Sequence, residues 1–330
     1  MSRAARAFGF LAGVILLAGA AGACRGSAQD PLITYFNGDF SLSVRYPASW
    51  RTDQAEQDGM WYRYFLGPPT GTQRKPAVSV TLFAGPLQIP LDEYAQKYLA
   101  GNPPSSSRDE ARGSARGKAY RFASGGGATR HSLLLFQEGE RVYGLYSQAD
   151  APLFERYLPT IDEMERSFTL ERPETYPEVR NDKFRFSIRV PPSWRASRTF
   201  SGGGTYLTQF TSPALGADRS RQTVHASLTL TVESIPSTDT VEDFYNEAVR
   251  KLGEPFKVLS HTPWNGGYAD VLWVETPMAV SRNKRFYRVA ESRGYVVAFE
   301  ARDDVYPRVI KWCDMIASTL KIGPEIDRPR

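Results

Sequence analysis

The chain has 330 residues, 41% of them hydrophobic and 23% charged, with a formal charge of +5. That length fits two ordinary domains, each able to bury a core without disulfides or metals, and so mild a charge does not argue for nucleic acid. Two cysteines, Cys24 and Cys313, and three histidines exclude a disulfide-rich scaffold and leave few soft metal ligands.

Met1 to Ala23 reads as a secretory signal. Arg3 and Arg6 give the positive start, Phe8 to Leu17 the apolar core, and small residues follow. Loss of its two arginines leaves a charge of +3. Ala21-Gly22-Ala23-Cys24 resembles a bacterial lipobox, with Ala21 where the usual pattern has Leu; Ala21-Gly22-Ala23 alone also reads as a plain A-x-A cleavage site. The expectation is lipidation of Cys24, with residues 24–33 as a short tether to the membrane. Arg25 after the cysteine permits, by resemblance to Gram-negative lipoproteins, transfer to the outer membrane.

Beyond the tether the chain repeats itself. Phe40 to Trp50 and Arg51 recur as Phe186 to Trp194 and Arg195, each an alternating strand closed by Pro and Ser before a Trp. Trp61, Tyr62, Tyr64 and Phe65 form an aromatic run that reads as core before it reads as an exposed sugar or protein site. Val78, Val80 and Leu82 match Leu228, Leu230 and Val232 as strands of period two. Short amphipathic helices follow, one carrying Leu91, Tyr94 and Tyr98, the other Val241, Phe244 and Ala248.

Each half then shows a hairpin. Arg130–Gln137 and Val142–Gln148 flank the turn Glu138-Gly139-Glu140; Arg285–Glu291 and Tyr295–Ala301 are their counterparts. A terminal helix closes each half. Its stripe is Phe154, Tyr157, Ile161, Met164 and Phe168 in the first, and Tyr306, Val309, Cys313, Ile316 and Leu320 in the second. Cys313 therefore takes the place of Ile161 and reads as buried and inert. Asp150 and Asp303 are placed to cap these helices, and Pro159 predicts a kink or a later start.

Strands with helices segregated from an antiparallel sheet make the fold class α+β. The opening strand ending in Tyr-Pro-x-Ser-Trp, the strand-rich middle and the hairpin running into a final helix resemble the PsbP-like family. That resemblance implies two tandem α/β/α sandwiches around antiparallel sheets, and binding in place of catalysis. The predicted layout is domain 1 at 34–170, a semi-extended linker at 171–181 rich in Pro and charge, domain 2 at 182–322, and a loose tail at 323–330.

The local motifs give no active site. His131 and His225 at strand starts and His261 in a loop read as hydrogen-bonded surface residues. Ser281-Arg-Asn-Lys284 precedes a strand, where a Ser/Lys nucleophile needs a helix start, and Gly113 to Lys118 is one residue short of a phosphate loop. No catalytic, cofactor or metal residue is assigned, and no cofactor is expected. Arg282, Lys284, Arg285, Arg288 and Arg293 form a basic run that could face acidic lipid or an acidic partner, against a solvated strand face. The function expected is an exported, lipid-anchored, non-catalytic binding or scaffold protein of the bacterial envelope, with a protein partner, membrane contact through its lipid and no nucleic acid. The alternatives are a hydrolase with loop carboxylates such as Asp58 or Asp109, and a small-molecule or glycan binder in the cleft between the copies.

Overall fold

The computed structural model describes residues 30–70, 75–217, 223–252, 256–275 and 280–327. The leader and Cys24 lie outside them. The first copy runs β1 (Leu32–Asn37), β2 (Leu42–Pro47), β3 (Arg51–Gln57), β4 (Met60–Leu66), β5 (Pro69–Thr70), β6 (Lys75–Pro76), β7 (Ser79–Pro86), α1 (Leu91–Leu99), β8 (Ser106–Arg112), β9 (Ala115–Ser124), β10 (Thr129–Glu138), β11 (Arg141–Asp150), α2 (Ala151–Ser167) and β12 (Thr169–Leu170). The second runs β13 (Glu178–Asn181), β14 (Phe186–Arg189), β15 (Arg195–Gly202), β16 (Thr205–Thr211), β17 (Gly216–Ala217), β18 (Thr223–Val224), β19 (Ser227–Ser234), α3 (Val241–Arg250), β20 (Phe256–Trp264), β21 (Gly267–Glu275), β22 (Val280–Ala290), β23 (Arg293–Arg302), α4 (Tyr306–Ala317) and β24 (Lys321–Ile322).

The two copies have one topology. A small sheet β1-β2-β12 and a large sheet β3-β4-β7-β11-β10-β9-β8 in the first become β13-β14-β24 and β15-β16-β19-β23-β22-β21-β20 in the second. All pairings are antiparallel, so the α+β class and the tandem layout stand. Period-two alternation sends Leu134 and Phe136 to the core under α2, and Leu133 and Leu135 to the core under α1. Each large sheet is thus covered by its terminal helix with the small sheet on one face, and by its middle helix on the other.

The terminal stripes behave as predicted: Phe154, Ile161, Met164 and Phe168 are buried, as are Tyr306, Val309, Cys313, Ile316 and Leu320. Cys313 is wholly inaccessible, and burial pushes its thiol well above the ordinary range. The caps differ from expectation. Asp150 occupies the N-cap of α2 without a side-chain bond. Asp303 lies outside α4, whose N-cap is Val305, and pairs with Arg282 Nε at 2.5 Å. Helix α2 starts at Ala151 and carries Pro159 inside it. The well-capped helix is α3, where Thr240 and Asp243 bond reciprocally.

Strand register also corrects the sequence alignment. Leu170 pairs with Leu42 and Ile322 with Phe186, so Phe186 matches Leu42 and Phe184 matches Phe40. Likewise Leu82 pairs with Leu145 and Leu230 with Val297, so Leu82 matches Leu230, not Val232. Both slips are of two residues, which leaves every side chain on the same face and is invisible to a period-two pattern. Local details confirm the shifted match. Asn37 Oδ1 accepts from the backbone of Asp39 and Phe40, as Asn181 Oδ1 accepts from Phe184. Ser41 and Arg185 share a positive φ of 49° and 52°.

The stretch read as a linker is packed. Glu171 is 3% exposed and accepts from Ser43 Oγ and Tyr176 Oη, both at 2.6 Å, while Tyr176 is itself in the second copy's core. Glu178–Asn181 already forms a strand of the second copy. The copies also touch directly. Phe36 of the first stacks on Trp312 of the second at 4.8 Å, and Thr34 N donates to Ala214 O. Gly38 lies so close to α4 that a Cβ there would sit 2.4 Å from Lys311 Cβ. Nor is the tail loose as far as residue 327: Gly323–Asp327 forms a 3-10 turn, Ile326 is buried, and Glu325 receives Arg288. A buried apolar residue and a bidentate ion pair hold it.

Candidate ligand and partner surfaces

The basic run does not form one surface. Alternate residues of β22 face opposite ways. On the α4 side, Arg282 pairs with Asp303, Lys284 Nζ with Asp314 Oδ1 at 2.5 Å, and Arg288, 9% exposed, with Glu325. Arg293 donates to Lys183 O at 3.2 Å and stands 3.8 Å from Glu291. Arg285 points to the α3 side, into a cleft with Thr229 and Glu300. Four of the five charges are therefore matched within the chain, which a run of cations on one strand cannot reveal. The Ser281–Lys284 stretch lies inside β22, with Ser281 donating to Glu300.

The histidines are likewise structural in two places. His131 is 6% exposed and buried, not at the surface: its ring stacks on Phe122 and Tyr146 and bonds Ser124 and Tyr146. Burial lowers its proton affinity. His225 bonds Ser212 O and Thr223 Oγ1. His261 lies in strand β20, not a loop, and its Nδ1 meets Asp270 Oδ1 at 2.6 Å, with Tyr245 and Tyr268 against the ring. Asp270 is fully buried. No nucleophile joins this pair among the described residues, and no group of three or more His, Cys, Asp or Glu there could hold a metal.

A second buried cluster lies under α2. Arg121 bonds both oxygens of Glu165, at 2.8 and 3.0 Å, and Asp162 at 2.6 Å; Ser132 donates to Glu165. Burial raises the pKa of Glu165, opposed by Arg121 and the Ser132 bond. The matched positions of the second copy hold Val271, Ala317, Asp314 and Lys284, and there Lys284–Asp314 is the remaining pair. Glu165 is buried while Asp162 reaches solvent, and the cluster locks α2 to the sheet.

Three clefts decide among the alternatives. Between the copies lies a cavity of about 160 Å³ lined by groups such as Thr34, Ser43, Glu171, Ser193 and Pro213, with Tyr176 its one ring. Ligand sites for drug-sized molecules run to roughly 300–1,000 Å³, so the interdomain position is too small, and with one aromatic ring too poor in aromatics, for the binder considered above. Asp58 and Asp109 line different clefts, so these two carboxylates do not converge.

The third cleft, about 410 Å³, lies at one end of α1. The β3–β4 turn, with Asp58 and Gly59 at positive φ, presents Asp58 and Met60. Tyr62 alternates with buried Trp61 and so points to the α1 side. Helical spacing puts Tyr94 and Tyr98 beside it, and Lys97 stands 5.2 Å over the Tyr94 ring at the rim. The rings form a continuous belt: Tyr64–Tyr62 at 6.3 Å, Tyr62–Phe83 at 6.3 Å, Phe83–Tyr98 at 5.3 Å, Tyr98–Tyr146 at 5.3 Å. Burial raises the pKa of Tyr62, Tyr94 and Tyr98, which keeps their hydroxyls neutral. Such a surface stacks and donates hydrogen bonds. The sequence showed both the run at 61–65 and the Tyr94/Tyr98 pair, but nothing local joined them.

No family model and no curated protein sequence matches this chain. Solved structures do. A cyanobacterial PsbP from Synechocystis sp. PCC 6803 is 10% identical, covering 45% of this chain and 98% of its own, with a TM-score of 0.33. The Ran-binding protein Mog1p of Saccharomyces cerevisiae is 8% identical over 44% of this chain and 94% of its own, TM-score 0.33. The immunity protein TplEi of Pseudomonas aeruginosa is 11% identical over 89% of this chain and 97% of its own, TM-score 0.27. The first two each cover under half of this chain and nearly all of their own.

Proposed function

We propose that this chain is an exported, lipid-anchored, non-catalytic protein of the bacterial envelope that holds a peptide segment of a protein partner in the tyrosine-lined cleft of its first copy. The observation that carries the reading is the cleft itself: half-buried Tyr62 and Tyr98 over buried Tyr94 and Met60, rimmed by Asp58 and Lys97. Tyrosine, Met and a polar rim are the composition of protein-binding patches, where rigid rings give contact area at little entropic cost. In the second copy the matched positions carry Leu207 for Tyr62, Glu247 for Lys97 and Ala248 for Tyr98, so a partner would meet only one copy this way. In the same reading residues 1–23 are the signal, Cys24 carries the lipid, the stretch from Cys24 to the start of β1 is the tether, and the two modules run from β1 to β12 and from β13 to the turn Gly323–Asp327.

The test is capture from envelope membranes of cells making the full chain. The recovered protein is expected to have the mass of a chain starting at Cys24 plus diacylglyceryl and acyl groups. A protein partner should co-purify with wild type and fall about tenfold or more with Tyr62→Ala and Lys97→Glu combined. A partner retained equally by the variant would remove the cleft from the account, and an unmodified mass would remove the anchor.

A further inference from the structure

The doubled fold supplies its own control: each place in one copy can be read against the same place in the other. Between the large sheet and the middle helix the two differ sharply. In the first copy that space is a core of ten buried residues, among them Phe83, Tyr94, Leu133 and Leu135. In the second, the cluster is Phe244, Ala248 and Tyr287, with Leu272 buried at the place of Phe122, among the described residues. The register gives the exchanges. Phe83 becomes Thr231, Leu133 becomes Arg285, His131 becomes Asn283, Tyr146 becomes Ala298, and Tyr98 becomes Ala248.

Removing the rings of Phe83, Tyr146 and Tyr98, and with them the His131 imidazole, leaves an open cleft of about 300 Å³, with Ala298 as its floor and Ala248 facing it from α3. Volume lost from a packed interior is normally refilled with apolar groups; here Thr229, Asn283, Arg285 and Glu300 stand in it among Leu252, Val296 and the two alanines. Across the floor, Arg285 and Thr229 flank Ala298 on neighbouring strands, and one ladder step along stand Asn283 and Glu300. Asn283 is 6% exposed, and Arg285 Nε finds no hydrogen-bond partner among the described residues. Buried Asp270 stands directly across the ladder from Arg285 but closes no ion pair with it at 4.0 Å or less, so the guanidinium keeps capacity for an acceptor in the cleft.

We infer that the second copy carries a binding site for a small hydrophilic carboxylate, its acid group seated on Arg285 and Asn283 and its donors turned to Glu300 and Thr229. The volume is that of roughly ten waters at about 30 Å³ each, which suits a solute of amino-acid or monosaccharide size. No aromatic ring lines the cleft. Two sources present this chemistry: a free amino acid, whose ammonium would meet Glu300, and a uronic acid, whose hydroxyls would.

The test is calorimetric titration of the full chain with a set of free amino acids, and separately with glucuronate and galacturonate, to millimolar concentration. Saturable binding to either class is expected, and the class that binds identifies the donor. Arg285→Leu, which restores the first copy's residue, should weaken it about tenfold or more. Ala248→Tyr, which fills the cleft from the exposed helix, should do the same without touching the sheet. Both variants should keep the wild-type circular dichroism and melting profile. No heat from either class, or affinity unchanged in both folded variants, overturns the inference.

Discussion

Replacing Trp312 by alanine is expected to lower folding stability by about 3–5 kcal/mol, the range for truncating a large buried aromatic. Trp312 is fully buried and makes two ring contacts of different origin. Trp194 of its own copy meets it edge-on at 5.5 Å and 86°, and Phe36 of the other copy stacks on it at 4.8 Å and 14°. The variant therefore loosens the second core and the seam between copies at once. Phe36→Ala attacks the same stack from the other side, so the double variant should lose less than the sum, by about 0.5–1.5 kcal/mol. Urea unfolding followed by tryptophan fluorescence measures all three. A loss below about 1 kcal/mol for Trp312→Ala, or strict additivity, would show that the copies do not share this core.

Arg121→Ala should cost about 3–5 kcal/mol at neutral pH, because it leaves Glu165 buried without its counter-charge. The sign of the pH dependence follows from Glu165. Burial raises its folded-state pKa, so in the window between the ordinary carboxylate value and the raised one the native state holds a proton that the unfolded state has released. Stability then falls as pH rises through that window. Without Arg121 the pKa rises further and the window widens. The variant should recover part of its loss when denaturant unfolding is repeated at pH 5 in place of pH 8, and Arg121→Ala with Glu165→Gln should be flat across that range. An Arg121→Ala loss independent of pH would mean that the guanidinium matters for packing, not charge.

Much of the fold was legible because the chain states it twice. The stripe from Phe154 to Phe168 aligned without a gap on that from Tyr306 to Leu320, and this placed Cys313 in the core before any coordinates. Strand register was less legible: a pattern of period two cannot distinguish a shift of two, so Phe40 and Leu82 were matched one pleat away from their true counterparts. Segments rich in Pro and charge misled for a different reason. Glu171 and Glu325 look like solvated linker and tail residues, yet each is held by partners distant in sequence or space, Ser43 for one and Arg288 for the other.

The clefts were the least legible part. Tyr62, Tyr94 and Tyr98 come from β4 and α1, which β5, β6 and β7 separate in the chain, and their convergence depends on the sheet order. The cleft over Ala298 is defined by absent rings at positions on three elements, which no local spacing encodes. The basic run failed as a surface because strand alternation and the carboxylates of α4 and the C-terminal turn divide it.

The most direct measurement on the account is photocrosslinking in intact cells, with a benzophenone amino acid in place of Lys97 at the cleft rim, and in a second strain in place of Arg198 on the exposed edge strand β15. The cleft reading predicts a discrete higher-mass adduct with another envelope protein from position 97 and none from position 198. Equal adducts from both positions, or none from position 97 in a correctly exported chain, would contradict it.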